Sequence, residues 1–362
     1  MSLLDKVKHN NIDLDIARYV YLLRGGIKTG KTTLYADIIK EKYGTPDAGL
    51  LLPFEKGYSA IDGINVFPYT ILPTTTIDGV DKHGWDIFTE IVRDLVKNRN
   101  EVPYKIICID TVDEFMTVVC DKVCKLSIVE TKKPCKSIND AYGGFGRGKA
   151  KVASLIKEQI EKLKNAGFGI FFIGHTKYKS LKTKIDNEEY NIVGSNLTED
   201  YDKMIANGAD VIAMITQEPN IVNGVITGTN RKIRFRSDGF YDVGARFATL
   251  PETIEYSAKG FIQSIEKAIK NIASIKNENE YKQAISEQNV EFKKEIEEKI
   301  KHDEDVKQKI INSLKQRLLE FTPDKKIKLK EMQTQYNIDW TKPEDITLEA
   351  LIDIAEELGL SY

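Results

Sequence analysis

Ten consecutive residues, Arg24-Gly25-Gly26-Ile27-Lys28-Thr29-Gly30-Lys31-Thr32-Thr33, concentrate more chemistry than any other stretch of the chain. Gly25, Gly30, Lys31 and Thr32 fit G-x-x-x-x-G-K-[ST], the spacing of a phosphate-binding loop. Glycines let successive backbone N–H groups turn inward around a phosphate, the lysine reaches the outer phosphates, and the hydroxyl after it can ligate magnesium. The expected nucleotide contacts are therefore Gly25, Lys28, Thr29, Gly30, Lys31, Thr32 and Thr33, with Thr32 also on the metal. A second signal is Ile106-Ile107-Cys108-Ile109-Asp110, an apolar run closed by an acid that would hold the magnesium shell opposite Thr32. Thr111 rather than Glu follows it. The search for a water-orienting base therefore moves to Glu55, and after it to Asp113 or Glu114. Position alone reads Glu55 as an ordinary acid at a strand end, and Asp113 and Glu114 as an acidic first helical turn. His175 ends another apolar run, where a polar side chain can touch an outer phosphate and report its loss; a half-buried structural histidine is the competing reading.

These residues need elements to hold them. Tyr19 to Leu23 reads as a buried strand and Leu34 to Lys42 as a helix, so the glycine loop sits where a strand hands over to a helix, whose start adds partial positive charge. Strands are expected at Gly49 to Phe54, Asn65 to Tyr69, Tyr104 to Asp110, Gly167 to Gly174 and Asp210 to Thr216, with helices at Trp85 to Lys97 and Lys149 to Asn165. Residues 177–200 read as a long loop, and Asn223-Gly224 as a tight hairpin turn. The alternation predicts an α/β core over residues 19–257. Residues 1–18 read as an N-terminal arm or short helix packed on something else, with a frayed tail as the competing reading. From Ala258 onward the chain is highly charged, nearly free of Gly and Pro until Pro323, and expected to form a C-terminal α-helical appendage.

Three basic segments remain. Lys132, Lys133, Lys136, Tyr142, Phe145, Arg147 and Lys149 surround a glycine-rich turn, mixing cations with aromatic rings in the way suited to phosphates and stacked bases. Lys177, Tyr178, Lys179, Lys182 and Lys184 form a second such cluster. In the third, Lys232, Arg234 and Arg236 share one strand face beside Arg231; they could reach a neighbouring subunit's nucleotide or DNA, or simply charge a sheet edge.

The 362 residues, 41% hydrophobic and 30% charged, suit one sizeable core plus an addition. A net charge of −2 excludes a globally basic nucleic-acid binder and leaves only local patches. The four cysteines lack C-x-x-C pairing, which argues against zinc and for a reducing cytoplasm. No membrane association is expected.

The order of parts resembles the RecA core: a strand-end Glu after the phosphate-loop unit, an apolar run ending Asp-Thr, and a polar residue opening the segment after the next strand. More narrowly, Pro134 to Lys151, Phe171 to Lys179 and Asp210 to Ile215 resemble phage AAA-type ATP-binding proteins of the Sak-type single-strand annealing family, over about Val20 to Pro251. The resemblance implies a RecA-like P-loop NTPase core with a mainly parallel sheet, acting as an ATPase whose rate DNA stimulates. It implies Lys31 and Thr32 on phosphate and magnesium, Asp110 on magnesium, Glu55 as the base and His175 as γ-phosphate sensor. The two lysine-rich segments would grip single-stranded DNA. A trans-acting cation would come from Arg231, Lys232, Arg234 or Arg246. The implied activity is ATP- and Mg2+-dependent annealing or pairing of DNA strands. The protein would act as a homo-oligomer, filament or ring, in the cytoplasm of a phage-infected or prophage-carrying bacterium, with a replication or single-strand-binding protein as a possible partner. A helicase loader or another nucleotide-switched replication adaptor is the alternative.

Overall fold

The computed structural model of the chain describes residues 4, 7, 9–182, 189–336, 338–343 and 346–360. In chain order the core elements are β1 (Val20–Gly25), α1 (Lys31–Tyr43), β2 (Gly49–Pro53), β3 (Thr75–Ile77), β4 (Val80–Lys82), α2 (Gly84–Lys97), β5 (Ile106–Asp110) and α3 (Val112–Thr131). There follow α4 (Arg147–Asn165), β6 (Gly169–Lys182), β7 (Glu189–Ser195), α5 (Glu199–Ala206), β8 (Val211–Val222), β9 (Val225–Arg234), β10 (Gly244–Ala245), β11 (Thr253–Glu255) and α6 (Ala258–Ala273). The last helices are α7 (Glu278–Arg317), α8 (Pro323–Gln335) and α9 (Leu348–Leu358).

The central sheet runs β11-β9-β8-β1-β6-β5-β2. Its middle, β8 to β2, is parallel, and β9 and β11 extend it antiparallel. Strands buried on both faces are apolar over most of their length, which is why Val20–Leu23 of β1 and Ile106–Ile109 of β5 read as unbroken apolar runs. Alternate residues feed opposite cores: Val20 and Leu22 pack beneath α2, α3 and α4, whereas Tyr21 and Leu23 pack beneath α1 and α6. Register then brings the chemistry to one level. Gly25 pairs with His175 across β1 and β6, Ile173 lies opposite Asp110, and Pro53, two residues before Glu55, also lies opposite Asp110.

Several expectations are corrected. Asn65 to Tyr69 is not a strand; it makes only a single bridge, Val66 to Leu51. Residues 177–200 are not one long loop, because β6 runs on past the sheet and pairs with β7 as an antiparallel hairpin from Thr176–Ser195 to Lys182–Glu189. The chain is helical from Ala258 as expected, but the first helix, α6, is part of the core rather than an appendage. Phe261, Ile262, Ile265, Ala268 and Ile269 of α6 are buried in the same core as α1. The phenylalanine and the three isoleucines each contribute roughly 1.5–3 kcal/mol, so together they rival the whole stability of a domain. The N-terminal arm packs on the core at its inner end: Leu14, Ile16 and Ala17 are buried, and the Tyr281 hydroxyl donates to the Leu14 carbonyl at 2.6 Å.

By contact the chain divides at Gln288/Asn289. The second unit, Asn289–Tyr362, has its own apolar core, in which Ile310 and Leu314 of α7 meet Leu351, Ile354 and Leu358 of α9.

Candidate nucleotide site

The turn between β1 and α1 is shaped by two left-handed residues, Lys28 (φ 59°) and Gly30 (φ 96°). Lys28 thus takes a conformation that favours glycine, at a cost on the order of 1 kcal/mol. Gly25 has no room for a side chain, since a Cβ there would lie 2.7 Å from Thr29 Oγ1. Thr29 is buried and its hydroxyl donates to the Gly26 carbonyl at 3.0 Å, bracing the loop from within. Thr33 stays exposed on the first turn of α1.

Lys31 is only 6% exposed. Its ammonium donates to the carbonyls of Gly25 (3.1 Å) and Gly26 (2.8 Å) and meets His175 Nδ1 at 3.3 Å. Burial pushes its pKa below the ordinary lysine range, against the pull of Asp110, Glu55 and Asp113. An ammonium has donors only, so His175 Nδ1 accepts, and the ring proton belongs on Nε2, which faces Glu55 Oε2 at 3.3 Å. The Thr111 hydroxyl donates to the same Glu55 oxygen at 3.4 Å. Lys31, His175 and Glu55 thus form one polar chain across the mouth of the loop.

Asp110 is 3% exposed, and Thr32 Oγ1 donates to its Oδ2 at 2.7 Å. These two oxygens come from opposite sides of the site. A hydroxyl and a carboxylate are hard oxygen ligands, suited to Mg2+, which takes one or two protein ligands and completes its shell with water and substrate phosphate. The residues present therefore fit magnesium. Among the described residues no cluster of three or more His, Cys, Asp or Glu offers an all-protein cage for a metal ion.

Burial pushes the Asp110 carboxyl up to about 6, with the Thr32 hydrogen bond and Lys31 pulling the other way. A carboxyl whose folded pKa exceeds its unfolded value of 3.8 adds stability at low pH and loses it as pH rises through the folded value. The gain in unfolding free energy of Asp110→Asn over wild type, without nucleotide or metal, is therefore expected to grow from pH ~4 to ~6 and then level off, at on the order of 3 kcal/mol. Thermal or urea unfolding across that range measures it. A gain that does not change with pH contradicts the assignment.

Asp113, which its position presents as a simple first-turn acid, has a specific task. It accepts from the His175 backbone N–H (3.0 Å) with Oδ2 and from Asn196 Nδ2 (3.0 Å) with Oδ1. The Asn196 N–H in turn donates to the His175 carbonyl at 2.9 Å. The start of α3 therefore clamps both strands of the β6–β7 hairpin at its root. Glu114 does not enter these contacts. Arg24, 1% exposed, anchors the other side of β1 by pairing with Asp202 (2.7 Å) and Asp242 (2.8 Å).

The remaining candidates divide. Lys177 donates to the Asn196 carbonyl at 2.7 Å, Tyr178 is 81% exposed and Lys179 follows it on the hairpin; Lys182 closes β6, and Lys184 lies outside the described residues. Lys132, Lys133 and Lys136 are exposed after α3. Phe145 is 98% exposed with φ 54°. Tyr142 instead packs on the core, and Arg147 donates to its carbonyl at 3.2 Å. Lys149 at the start of α4 pairs with Asp200 of α5 at 2.8 Å, which ties the glycine-rich turn to the segment just after the hairpin.

Of the four expected trans-acting cations, three are bound to acids of their own chain. Lys232 and Arg234 pair with Glu218, and Arg246 pairs with Asp210. Arg231 lies against its own phosphate loop, donating to the Thr29 carbonyl at 3.3 Å. Arg236 is spent on the carbonyls of Leu250, Phe247 and Ala248.

A glycine loop at a strand–helix junction, an acid at the tip of a strand separated from it by one other, and a mainly parallel sheet between helices define the class: an α/β P-loop NTPase. The chain belongs to the AAA domain family, AAA_24, which matches residues 17–262. Membership implies nucleotide binding, usually with Mg2+, and suggests ATPase activity. The chain is 32% identical over 128 residues to the SPbeta prophage-derived uncharacterized protein YorG of Bacillus subtilis, covering 35% of this chain and 33% of that relative. It also resembles the KaiC-like protein PH0186 of Pyrococcus horikoshii, at 15% identity and a TM-score of 0.33, over 67% of this chain and 91% of that one. That structural likeness is too slight to carry the fold, which rests on the strand order. No helix among the described residues is long and apolar enough to cross a membrane.

Proposed function

We propose that the chain is an ATP- and Mg2+-dependent recombination protein that binds single-stranded DNA and promotes annealing or pairing as a homo-oligomer. The observation that supports this most is the continuity of β6. One strand carries His175 beside Lys31 and Glu55 and, two residues on, begins the Lys177-Tyr178-Lys179 hairpin. In this reading Lys31 leaves the Gly25 and Gly26 carbonyls for the outer phosphates, and Thr32 and Asp110 hold the metal. Bound magnesium neutralises charge on the phosphate oxygens. Glu55 orients the attacking water, and His175, released by Lys31, turns so that its Nε2–H donates to the γ-phosphate. Asp113 and Asn196 pass that exchange to the hairpin root. The prophage origin of the Bacillus subtilis relative fits a phage setting.

Binding to strand backbone by lysines and to bases by Tyr178 is tolerant of sequence and sensitive to salt. A variant carrying Lys177→Ala, Tyr178→Ala and Lys179→Ala is expected to bind single-stranded DNA at least about ten-fold more weakly, from the loss of one stacked base alone. Its slope of log affinity against log salt should be shallower by about 0.7 for each phosphate that the variant no longer neutralises. Fluorescence anisotropy at several salt concentrations measures both, and an unchanged affinity and slope would remove the hairpin from the DNA site.

A further inference from the structure

The groups suited to hydrolysis all lie on one side of the phosphate loop. His175, Asp110 and Glu55 come from β6, from β5 and from just beyond β2, which follow β1 in that order across the sheet. Whatever is attached to the far end of a triphosphate must leave toward the other side, where β8, β9 and β11 lie. Arg231 and Tyr256 wait there.

The pair is set by sheet register. Glu255 of β11 lies opposite Lys232 of β9, and the Tyr256 N–H donates to the Arg231 carbonyl at 3.0 Å, so the two side chains are cross-strand neighbours. The Arg231 guanidinium stacks over the Tyr256 ring with Cζ 4.1 Å from its centroid. Both touch the loop: Tyr256 Oη donates to the Gly30 carbonyl at 2.8 Å and Arg231 to that of Thr29 at 3.3 Å. A Cβ on Gly30 would lie 2.7 Å from each. Arg231 is nevertheless exposed, and unlike Lys232, Arg234 and Arg246 it makes no ion pair among the described residues. One face of the guanidinium is covered by tyrosine while the residue as a whole stays exposed, beside the end of the loop away from the hydrolytic groups.

We infer that Arg231, backed by Tyr256, is the nucleobase platform of this site, the guanidinium face away from the tyrosine stacking on the base of a nucleoside triphosphate held by the loop. Guanidinium planes stack well on aromatic rings and hold their charge at all working pH values. Tyr256 removes the rotational freedom that a lone exposed arginine would lose on binding. Arg231 thereby serves its own chain's nucleotide rather than a neighbour's. The inference rests on the phosphate-loop reading, and the test separates the two.

The affinities of ATP and of inorganic tripolyphosphate, each with Mg2+, are measured by calorimetry on wild type, Arg231→Ala and Tyr256→Phe, with thermal unfolding as a check on folding. Wild type is expected to prefer ATP. Arg231→Ala should weaken ATP about ten-fold, the cost of one stacked base, and leave tripolyphosphate unchanged. Tyr256→Phe keeps the ring and should keep the preference for ATP. Equal weakening of both ligands in Arg231→Ala, or no weakening of ATP, would overturn the platform and leave the pair a brace for the loop. Failure of wild type to bind either ligand would overturn the phosphate-loop reading itself, and the platform with it.

Discussion

Lys31→Ala is expected to abolish measurable nucleotide binding, raising Kd for ATP by a factor of about 100 or more while the protein stays folded. The size of the effect follows from the surroundings. The ammonium is nearly buried, and the hydrogen bonds it makes in the structure go to Gly25 and Gly26 carbonyls and to His175, all neutral partners that it can leave for phosphate oxygens. A charge-assisted bond in such a place is worth about 1.5–3 kcal/mol, and more where several phosphate oxygens share it. Stability should barely suffer, because burial of the ammonium already opposes its charge. Titration calorimetry with circular dichroism separates the two quantities. A Kd within a few-fold of wild type would place the triphosphate elsewhere.

Glu55→Gln should bind ATP normally and hydrolyse it roughly 100- to 10,000-fold more slowly, the usual span for loss of a group that handles the water's proton. Glu55 is half exposed, close to His175 Nε2 and the Thr111 hydroxyl, and its backbone N–H donates to the Asp110 carbonyl at 3.1 Å. It is thus tied to the metal-side strand without being buried by it, with one carboxylate oxygen free for water. Gln keeps the shape and the contact with the hydroxyl but cannot take a proton. Near-normal turnover would move the base away from Glu55, and Asp113 is a poor successor because both its oxygens are engaged by His175 and Asn196.

The parts of this site that are legible in the sequence are those whose signal is local. Gly25, Gly30, Lys31 and Thr32 make a pattern within eight residues, and Asp110 and His175 each close an apolar run that can only be a buried strand. The parallel sheet follows from such runs separated by helices. What is not legible depends on pairing between distant segments. Arg231 meets Thr29 from 202 positions away, through the antiparallel strands that extend the sheet, and nothing near Arg231 announces that contact. The β6–β7 hairpin leaves no clear trace because neither Lys177-Tyr178-Lys179-Ser180-Leu181-Lys182 nor Glu189-Tyr190-Asn191-Ile192-Val193-Gly194-Ser195 keeps a regular alternation of apolar and polar residues. The role of Asp113 is hidden by a sufficient local explanation, its place in a first helical turn. The boundary near Ala258 misleads for a different reason: α6 does carry an apolar face, but the long charged run after it dominates the composition.

Lys31, Asp110, Glu55 and His175 must act on a single triphosphate and report to the hairpin if the site works as proposed. The most direct measurement is the rate of ATP hydrolysis with Mg2+ by the full chain and by Glu55→Gln, each with and without single-stranded DNA. The prediction is a slow basal rate in wild type that rises several-fold with DNA, and almost none in Glu55→Gln under either condition. A folded wild-type protein that hydrolyses no ATP whether DNA is present or not, or whose rate DNA leaves unchanged, would contradict it.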